Sequence, residues 1–410
     1  MDIQIKPKIL LVHNYYQIPG GEDTVLANEK KMLENNGHEV VLYSRNNSEL
    51  NNLHKFQKIF LPLTTIFSIK TYKEVKKIIK EQKIDIVHVH NTLNLVSPSV
   101  YHAAFAQKVP VVQTIHNFRL LCPAATFYRQ DKSGHGQICE DCVSNGLKCA
   151  VKYKCYRGSL LQTLGSVLTL KIHRLLGTYK KINYICLTEF NKKKLLELKR
   201  GKKHILDPSR LHVKPNFVNV ETDFLPYEKR KNQFVFAGRI DRLKGIRILL
   251  EAWKDIKSCD LIICGTGPEE YWCQKYINEN KLTNVKMLGF VENEEVKKII
   301  GESKALILPT QWYEGFPMSI VESLAAGTPV IGSNIGNVGS LIKDGITGLK
   351  FQFDSPTDLQ KSVMGLVDMT NTSLAYYREY LSVKQNYIKL SKVYENVLNS
   401  SESKYKHGSF

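Results

Sequence analysis

The stretch Glu314-Gly-Phe-Pro-Met-Ser-Ile-Val-Glu322, continued by Ser-Leu-Ala-Ala-Gly327-Thr-Pro-Val330, decides the fold of this chain. The apolar run 305–308 before it predicts a buried strand, and the pattern over 317–326 predicts a short helix with a proline in its first turn. Backbone N–H groups of Gly315, Phe316 and Met318, beside Pro317, would then point out of the helix N-terminus, which is a binding site for anions. Glu314 lies before the helix and Glu322 lies inside it, so both carboxylates can face one crevice.

The same alternation of strand and helix runs outward from this stretch in both directions. Apolar strands are predicted at 8–13, 39–43, 85–89, 109–114, 184–187, 233–238, 261–264, 285–288, 305–308 and 329–331. Strands that alternate with helices indicate parallel, doubly wound sheets. We therefore predict an α/β fold with two Rossmann-like domains, one over 1–217 with a cysteine-rich insertion at 119–158, and one over 218–385. An amphipathic segment over 386–410 predicts a final helix that packs back on the first domain.

The charge of the chain is unevenly distributed. The net charge of the 410 residues is +19, and residues 1–217 carry +18 of it, from 34 Lys and Arg against 16 Asp and Glu. A basic half indicates a polyanionic partner such as nucleic acid, an acidic membrane surface or a phosphorylated lipid; a generally lysine-rich composition is the alternative. The N-terminus has no signal-peptide pattern and no run reaches the ~20 apolar residues of a membrane span, so we expect a cytoplasmic protein.

Two loops in the second domain have the composition of phosphate-binding loops. Gly238-Arg239-Ile-Asp-Arg-Leu-Lys244-Gly245 follows a strand and opens a helix. Ligands of open α/β sheets bind at the carboxyl ends of strands, where Arg239 offers a bidentate fork and Lys244 a point charge. The second loop, Gly265-Thr-Gly267-Pro, also follows a strand and is expected to shape the same crevice, although a plain turn is the alternative. Phosphate donors beside two carboxylates suit a sugar nucleotide.

The first domain contributes two further candidates. Gly20 and Gly21 follow its first strand, where their N–H groups can line a phosphate or a sugar; a simple tight turn is the alternative. His116 ends the strand 109–114, where it can contact a transferred group. A lone histidine is more often structural.

These motifs together resemble glycosyltransferase family 4, the retaining sugar-nucleotide transferases with the GT-B fold. The resemblance covers nearly the whole chain and is densest over 234–350, where Gly-Arg-Ile-x-x-x-Lys-Gly, Gly-x-Gly-Pro, Glu-x7-Glu and Ala-Ala-Gly-Thr-Pro-Val-Ile occur in the family's order. It implies two Rossmann-like domains that face a central cleft. It also implies an enzyme, a hexosyltransferase of class EC 2.4.

The resemblance implies a role for each candidate residue. Glu322 binds the donor ribose, while Glu314 binds the donor sugar beside the N–H groups of Gly315 and Phe316. Arg239 and Lys244 neutralise the leaving diphosphate. His116 contacts the donor sugar, and Gly20 and Gly21 meet the phosphates. No metal is essential for catalysis in the family, which agrees with the absence of an Asp-x-Asp element here.

The chemistry that this implies is transfer with retention by front-side attack. Cations on the diphosphate stabilise the charge that grows there as the sugar–phosphate bond breaks. No residue stands out as a covalent nucleophile, and Glu314 remains the alternative in that role.

A cysteine cluster marks the insertion. Its members are Cys122, Cys139, Cys142, Cys149 and Cys155. The Cys139-Glu-Asp-Cys142 spacing is typical of zinc knuckles, so a structural zinc ion is one interpretation and a set of free thiols is the other. Zinc would hold together an insertion that otherwise lacks a core.

Two basic amphipathic stretches, 66–83 and 160–181, predict helices that lie either on an anionic membrane or on the sheet. Because the first domain is the acceptor side in the family, its charge favours a lipid-diphosphate-linked glycan as acceptor. We therefore expect a peripheral enzyme of the cytoplasmic membrane face that moves a sugar from a UDP- or GDP-sugar in capsule, O-antigen or lipopolysaccharide assembly.

Three alternatives stay open on the sequence alone. One is a glycosyltransferase with a soluble or protein acceptor, and another is a non-catalytic relative that only binds sugar nucleotides. The third, a nucleic-acid-binding protein, is disfavoured because the basic residues are not interleaved with aromatic ones and no nucleic-acid module is present.

Overall fold

The computed structural model describes residues 6–17, 20–52, 55–130, 136–218 and 224–406. It divides the chain into two units, which are Met1–Pro215 together with Asn386–Phe410, and Asn216–Gln385. The predicted domain boundary, between 217 and 218, lies beside this division. Three expected features extend beyond the described residues. The glycine-rich turn expected over 18–22 includes residues 18–19, the insertion 119–158 includes 131–135, and the last helix was expected to reach 410. Residues 18–19, 131–135 and 407–410 lie outside the described part of the chain.

The first unit is built on a six-stranded parallel sheet. The strands of the whole unit, within that sheet and outside it, are β1 (Ile9–Tyr15), β2 (Val40–Asn46), β3 (Ile86–Val89), β4 (Val111–Ile115), β5 (Tyr128–Gln130), β6 (Gly136–Ile138), β7 (Asn183–Cys186), β8 (Lys199–Arg200), β9 (Lys203–His204) and β10 (Leu211–Val213). The main sheet has the order β10-β7-β4-β3-β1-β2, while β5-β6 and β8-β9 form small antiparallel pairs. The order reverses between β1 and β3, so their carboxyl ends form a topological switch point.

The helices of the first unit connect these strands. They are α1 (Gly21–Asn35), α2 (Lys55–Ile66), α3 (Ile69–Gln82), α4 (Ser99–Ala106), α5 (Asp141–Ser144), α6 (Lys148–Tyr153), α7 (Leu160–Leu175) and α8 (Glu189–Leu196). Short 3-10 turns cover Asn47–Asn52, Thr178–Lys181 and Pro208–Arg210.

The second unit has a sheet of the Rossmann order. Its strands are β11 (Gln233–Ala237), β12 (Asp260–Cys264), β13 (Val285–Gly289), β14 (Ala305–Leu308), β15 (Val330–Ser333) and β16 (Gly348–Phe351). All pairs are parallel in the order β13-β12-β11-β14-β15-β16, which reverses between β11 and β14. Its helices are α9 (Ile246–Trp253), α10 (Glu270–Glu279), α11 (Asn293–Glu302), α12 (Met318–Ala325), α13 (Gly336–Leu341), α14 (Pro356–Met364) and α15 (Thr370–Tyr376), with a 3-10 turn at Tyr227–Lys229 and a π-helical turn at Tyr377–Leu381.

The second sheet separates two apolar cores, because successive side chains of a strand point to opposite faces. Phe234 and Phe236 of β11 pack into the core with α9 and Trp253, whereas Val235 between them packs into the core with α12. A doubly wound sheet needs this two-sided burial, and the predicted α/β fold class with two Rossmann-like domains is confirmed.

The final helix, α16 (Val383–Lys406), returns the chain to the first unit. Tyr394 is buried there, with its hydroxyl 2.7 Å from His88 Nδ1 on β3. The Asn386 amide donates to the Pro215 carbonyl at 2.6 Å. The first unit is therefore made of two separate pieces of chain.

The structure changes three details that were expected from periodicity. The stretch 66–83 is broken after α2, because Ser68 accepts a hydrogen bond from the Thr71 N–H at 3.2 Å and starts a new helix, α3. The stretch 160–181 ends its α-helix at Leu175, and Gly177 follows in the left-handed region with φ +65°. The predicted helix 317–326 begins at Met318, with Pro317 as its N-cap.

The turn into α9 depends on a glycine for two separate reasons. Gly245 has φ +75°, and a Cβ there would lie 1.7 Å from the Pro309 carbonyl oxygen. Gly289 also has a left-handed φ, +68°, but a Cβ on it would have no other atom within 4 Å. Comparing substitutions at the two glycines therefore separates the free-energy cost of a left-handed backbone from the cost of a steric clash with Pro309.

We expect Gly289→Ala to destabilise the protein by about 1–2 kcal/mol, the cost of a left-handed alanine. Gly245→Ala should cost about 1–3 kcal/mol more, because the backbone of the β14 loop must move to admit the methyl group. Melting temperatures of the two variants and the unsubstituted protein measure this. Equal losses would show that the close approach to Pro309 has no energetic consequence.

Candidate active site

The predicted basic loop and the first predicted carboxylate meet at the switch point of the second sheet. Lys244 follows β11 and Glu314 follows β14, and Lys244 Nζ lies 2.7 Å from Glu314 Oε1. The hydroxyl of Thr310 donates to the same oxygen at 3.1 Å. Glu314 is buried while Lys244 is partly exposed. The pair holds a cation at the sheet edge where ligands of this fold bind.

The loop after Glu314 presents backbone donors that the protein does not use. The N–H groups of Gly315, Phe316, Met318 and Ser319 donate to no described residue. The Asn337 amide fixes the loop from behind, with contacts to the carbonyls of Glu314 and Gly315 at 2.7 and 2.6 Å. The Phe316 and Met318 side chains pack against the core, so only their backbones are available to a ligand. Four free donors at one helix end suit an anion.

The two glycine loops pack directly on each other. A Cβ on Gly265 would lie 2.0 Å from the Gly238 carbonyl oxygen, and one on Gly267 would lie 2.2 Å from that of Ile240. Gly238 and Gly265 also have positive φ values, +156° and +135°. The glycines thus allow the loop after β12 to lie against the loop after β11, and they hold Arg239 at the surface.

Arg239 and Glu322 are the remaining candidates of the second unit. The Arg239 side chain is exposed, with its Nε 3.2 Å from Asp241 Oδ2, and its terminal nitrogens are open to a ligand. Glu322 lies on α12, and its carboxylate has no hydrogen bond or ion pair with the described residues. Burial raises the pKa of Glu322, against the opposing effect of Lys297. A partly buried acceptor without a partner fits the hydroxyls of a ribose.

In the first unit, the two glycines differ in what they offer. The Gly20 N–H donates to Asp23 Oδ2 at 2.8 Å and is therefore occupied, which departs from its predicted role as a phosphate donor. The Gly21 N–H has no partner among the described residues, and a Cβ on either glycine would have no other atom within 4 Å. Glu22 accepts from the Asn117 amide at 3.1 Å, which connects the start of α1 to the end of β4.

His116 lies in a cluster of buried polar side chains around the carboxyl ends of β3 and β4 in the first unit. Its Nε2 is 3.0 Å from His90 Nδ1. His90 Nε2 and His88 Nδ1 lie 3.2 and 3.1 Å from Glu29 Oε1. Glu29 Oε2 is 2.8 Å from Lys214 Nζ, and the side chains of both are fully buried. We name these five residues the histidine cluster.

Burial sets the charges of the histidine cluster. Desolvation lowers the pKa of His88 to about 3 and holds that of His116 well below its usual value. Although burial opposes it, the positive charge of Lys214 and the nearby imidazoles hold the pKa of Glu29 well below its usual range. His88 and His116 are therefore neutral at pH 7, and one buried ion pair, Glu29 with Lys214, remains.

The cysteine thiols do not meet the spacing of a preformed metal site in the described part of the chain. There, the ligand atoms of Glu29, His88 and His90 lie within 4.8 Å of one another, and those of the five cysteines form no group of three at that spacing. The ammonium of Lys214 already balances the Glu29 carboxylate, so we assign no metal there. The five cysteines are free thiols, and burial raises the pKa of Cys142 to about 12 and that of Cys155 to about 11. Structural zinc stays a prediction.

The described part of the insertion contains buried apolar side chains, contrary to the expected lack of a core. Phe127, Leu147 and Ala150 are buried, with Phe127 packed on Phe118. Lys194 of α8 lies 2.8 Å from Glu140 and ties the insertion to the sheet layer. The insertion is therefore held by packing in this structure.

Several site residues were missed by sequence reasoning. Thr310, Asn337, Glu29, His90 and Lys214 contact the predicted residues or each other. Two signals were available for the histidine cluster. His88 and His90 alternate at the end of β3 and so share a face, and Glu29 lies on the apolar stripe of α1. Asn337 and Lys214 are distant in sequence from what they hold, and no local pattern marks them.

Two family models match the chain. The model described as "Glycosyl transferases group 1" matches residues 221–380, and "Glycosyltransferase Family 4" matches residues 19–144. The chain belongs to glycosyltransferase family 4. The first model covers Lys244, Glu314 and Glu322, and the second covers His116 and all of the histidine cluster except Lys214.

Relatives of this glycosyltransferase include a galactosyltransferase and a protein from a cps region. The Escherichia coli UDP-Gal:alpha-D-GlcNAc-diphosphoundecaprenol alpha-1,3-galactosyltransferase is 25% identical over 396 residues, which are 89% of this chain and 88% of that protein. A 41.2 kDa protein from the cps region of Klebsiella pneumoniae is 32% identical over 129 residues, 31% of this chain and 34% of its own. The structure of Anabaena HepE in complex with UDP and glucose has a TM-score of 0.62 and 14% identity, and covers 95% of this chain and 100% of that one. That likeness shows the GT-B fold.

The buried histidines predict how stability depends on pH. Burial lowers the pKa of His13, which lies 2.7 Å from Asp23, to about 4. Below pH 6.5 the unfolded chain therefore binds a proton that the folded protein does not, so stability falls as pH falls. Between pH 6.5 and pH 4 we expect His13 to contribute a slope of about 1.4 kcal/mol per pH unit.

His13→Gln should reduce this slope by that amount. Chemical denaturation at pH 5, 6 and 7 measures the slope. An unchanged slope in His13→Gln would mean that His13 is protonated as readily in the folded protein as in the unfolded chain.

Proposed function

We propose that this family 4 glycosyltransferase moves a hexose from a nucleoside-diphosphate sugar, with UDP or GDP as the nucleotide, to a lipid-diphosphate-linked glycan. The observation that carries the proposal is the Lys244–Glu314 pair beside four free N–H groups at the sheet edge. A cation and backbone donors suit a diphosphate, and a carboxylate suits sugar hydroxyls. The E. coli relative, which acts on a diphosphoundecaprenol-linked sugar, supports the same class of acceptor.

In this reaction the protein acts mainly by electrostatic stabilisation of the transition state. Lys244 and Arg239 stabilise the negative charge that accumulates on the leaving diphosphate, and the N–H groups of the α12 loop add to them. Glu322 accepts hydrogen bonds from the ribose. His116 contacts the transferred sugar, as the family resemblance implies. No step of this scheme needs a metal.

We also propose that the anomeric configuration is retained by front-side attack. Glu314 is the acidic side chain of the α12 loop, and its Oε1 already accepts from Lys244 and Thr310. Hydrogen bonds and an ion pair lower the nucleophilicity of that oxygen, which argues against a covalent intermediate on Glu314. The anomeric configuration of the product, read by NMR, tests retention, and the absence of a glycosylated Glu314 in mass spectra of the enzyme with donor tests the front-side route.

The surface of α7 supports a membrane-associated acceptor. Its buried side is lined largely by small or polar residues, while most of its leucines face outward: Leu160, Leu161, Leu164, Leu168 and Leu175 are exposed, as is Leu176 just beyond. Lys171 and Lys180 are exposed beside them. We name this surface the leucine face. Apolar side chains flanked by cations suit the interface of an anionic bilayer.

A cavity beside the leucine face is a candidate for the apolar part of the acceptor. It has a volume of about 320 Å³ and opens between α2 and α7, with Leu61, Pro62 and Leu161 in its wall. Arg157, which also lines the cavity, can contact a phosphate.

The two basic stretches differ in how their apolar sides are covered. The apolar side of α3 is packed in the interior through Val75 and Ile79, so only the stretch 160–181 supports membrane contact. No helix of the described ranges is long and apolar enough to cross a bilayer. We propose a peripheral location on the cytoplasmic membrane face.

We expect Lys244→Met to lower kcat by about 10²–10³, because it removes one stabilising contact to the leaving group. The matched control is Lys286→Met, on a surface lysine of β13 paired with Asp260. The assay follows release of nucleoside diphosphate from a panel of UDP-, GDP- and dTDP-sugars in the presence of a bacterial lipid extract. Equal loss in both variants would remove Lys244 from the mechanism.

The same assay separates the alternatives. Turnover with soluble glycans and without lipid would favour a soluble or protein acceptor. Calorimetric binding of UDP or GDP without turnover on any acceptor would favour a non-catalytic relative. Failure to bind any nucleotide would contradict the proposed site.

Substitution of Leu164 and Leu168 together by Gln should weaken binding to phosphatidylglycerol vesicles by at least 10-fold, since each buried leucine contributes about 1.5–3 kcal/mol. The melting temperature should not fall, because both side chains are exposed. Leu288→Gln, at an exposed leucine of the second unit, is the control. Vesicle flotation measures binding. Unchanged flotation would show that the leucine face does not bind the vesicles, and a dimer in sedimentation that the double variant dissociates would show that it binds a second copy of the chain.

A further inference from the structure

The histidine cluster contains a directional chain of polar groups that ends at His116. It runs from Glu29 Oε1 to His90 Nε2 at 3.2 Å, and from His90 Nδ1 to His116 Nε2 at 3.0 Å. The planes of the His90 and His116 rings are 22° apart and their centroids are 5.2 Å apart, so the rings lie nearly edge to edge across the hydrogen bond. Each imidazole therefore has one nitrogen toward the carboxylate side and one away from it.

The carboxylate determines where the proton of His90 lies. Glu29 Oε1 and His90 Nε2 face each other inside the protein, and neither has an aligned hydrogen-bond partner among the described residues. A lone pair on His90 Nε2 would oppose a carboxylate oxygen, whereas an N–H there is attracted to it. Lys214 already balances the charge of Glu29, so a second buried cation beside them is disfavoured. The single ring proton of His90 therefore lies on Nε2.

That assignment fixes the next ring. His90 Nδ1 then carries a lone pair, so the hydrogen bond to His116 is donated by His116 Nε2–H. His116 is left with its lone pair on Nδ1. This atom has no partner among the described residues, and His116 lines a cavity of about 60 Å³ together with Asn117 and Arg119.

We propose that Glu29 and His90 hold His116 as its Nε2–H tautomer, so that His116 Nδ1 accepts a hydrogen bond from a hydroxyl of the transferred sugar. This inference rests on the proposed function for the identity of the ligand, but not for the tautomer. An acceptor nitrogen selects a hydroxyl and disfavours a phosphate oxygen, which has no proton to donate at neutral pH. Glu29 and His90 are positioning residues, since they act through His116.

The test reads the tautomer directly in the protein without substrate. Two-bond ¹⁵N–¹H correlation spectra of the histidine-labelled protein distinguish a protonated ring nitrogen from one with a lone pair, and the His116 signals are assigned by their loss in His116→Gln. The expected result is a neutral His116 with its proton on Nε2. A proton on Nδ1, or an equal mixture, would overturn the proposal.

Two variants test what causes the tautomer. In Glu29→Gln, Lys214 donates to the amide oxygen, so the NH₂ group faces His90 Nε2 and the donor direction of the chain reverses. His116 should then carry its proton on Nδ1. Because this variant leaves Lys214 buried without a counter-ion, His90→Phe is the second variant. It keeps the Glu29–Lys214 pair and removes the connection, and His116 should lose its single tautomer. An unchanged His116 in folded samples of both variants would sink the idea.

The ligand arm uses the nucleotide sugar that the unsubstituted protein binds. Glu29→Gln should weaken binding of that sugar nucleotide by about 10-fold, the loss of one hydrogen bond of about 1.4 kcal/mol, and should leave binding of the free nucleoside diphosphate unchanged. Equal weakening of both ligands would contradict a contact to the sugar. If the unsubstituted protein binds no nucleotide, the proposed function fails while the tautomer result stands.

Discussion

The ion pair between Glu29 and Lys214 is the constraint on which the first unit depends. Both side chains are fully buried, and neither can be removed alone without leaving an unpaired charge in the interior. Lys214 lies just after β10 and also donates to Asn386 of α16 at 2.8 Å, while Glu29 extends from α1 toward β3. One charged contact therefore connects the first helix, the last strand of the sheet and the last helix of the chain. The Glu29 carboxylate of this pair also faces the ring nitrogens of His88 and His90.

In the second unit, a partly exposed cation is held at the sheet edge. Lys244 is kept beside Glu314 by backbone contacts that only glycine allows, with Gly245 against Pro309 and Gly265 against Gly238. Carbonyl oxygens approached at these distances leave no room for a Cβ. The loops are thus rigid because they are close-packed through their backbones, and the charged side chains they carry begin from fixed positions.

Much of this arrangement could be predicted from the sequence, and the reason is physical. Parallel strands buried on both faces are apolar throughout, so the strands β11 and β14 were visible as short apolar runs, and the loops that follow them were recognisable by their glycines. Lys244 and Glu314 are separated by a long stretch of chain, but both follow strands of one sheet, so their meeting could be expected. Contacts that depend on tertiary packing, rather than on the spacing of apolar residues, could not be predicted. Three examples depend on which neighbour covers a side chain: the helix break at Ser68, the packing of Phe127 on Phe118 and the outward direction of the α7 leucines. The histidine cluster could be predicted in part. The alternation of His88 and His90 on β3 and the place of Glu29 on the buried side of α1 are visible in the sequence, but no local pattern marks Lys214.

The return of α16 to the first unit makes the second unit an insertion in the covalent chain. Asn386 and Tyr394 come after the whole of Asn216–Gln385, yet they complete the surroundings of Lys214 and His88. On a ribosome, the first unit cannot close its interior when its own strands have emerged, because the last pieces are still unsynthesised. The second unit has no such dependence on later sequence and can fold while the chain is still being made. The first unit therefore begins synthesis first but can complete its fold only after the second unit has been made.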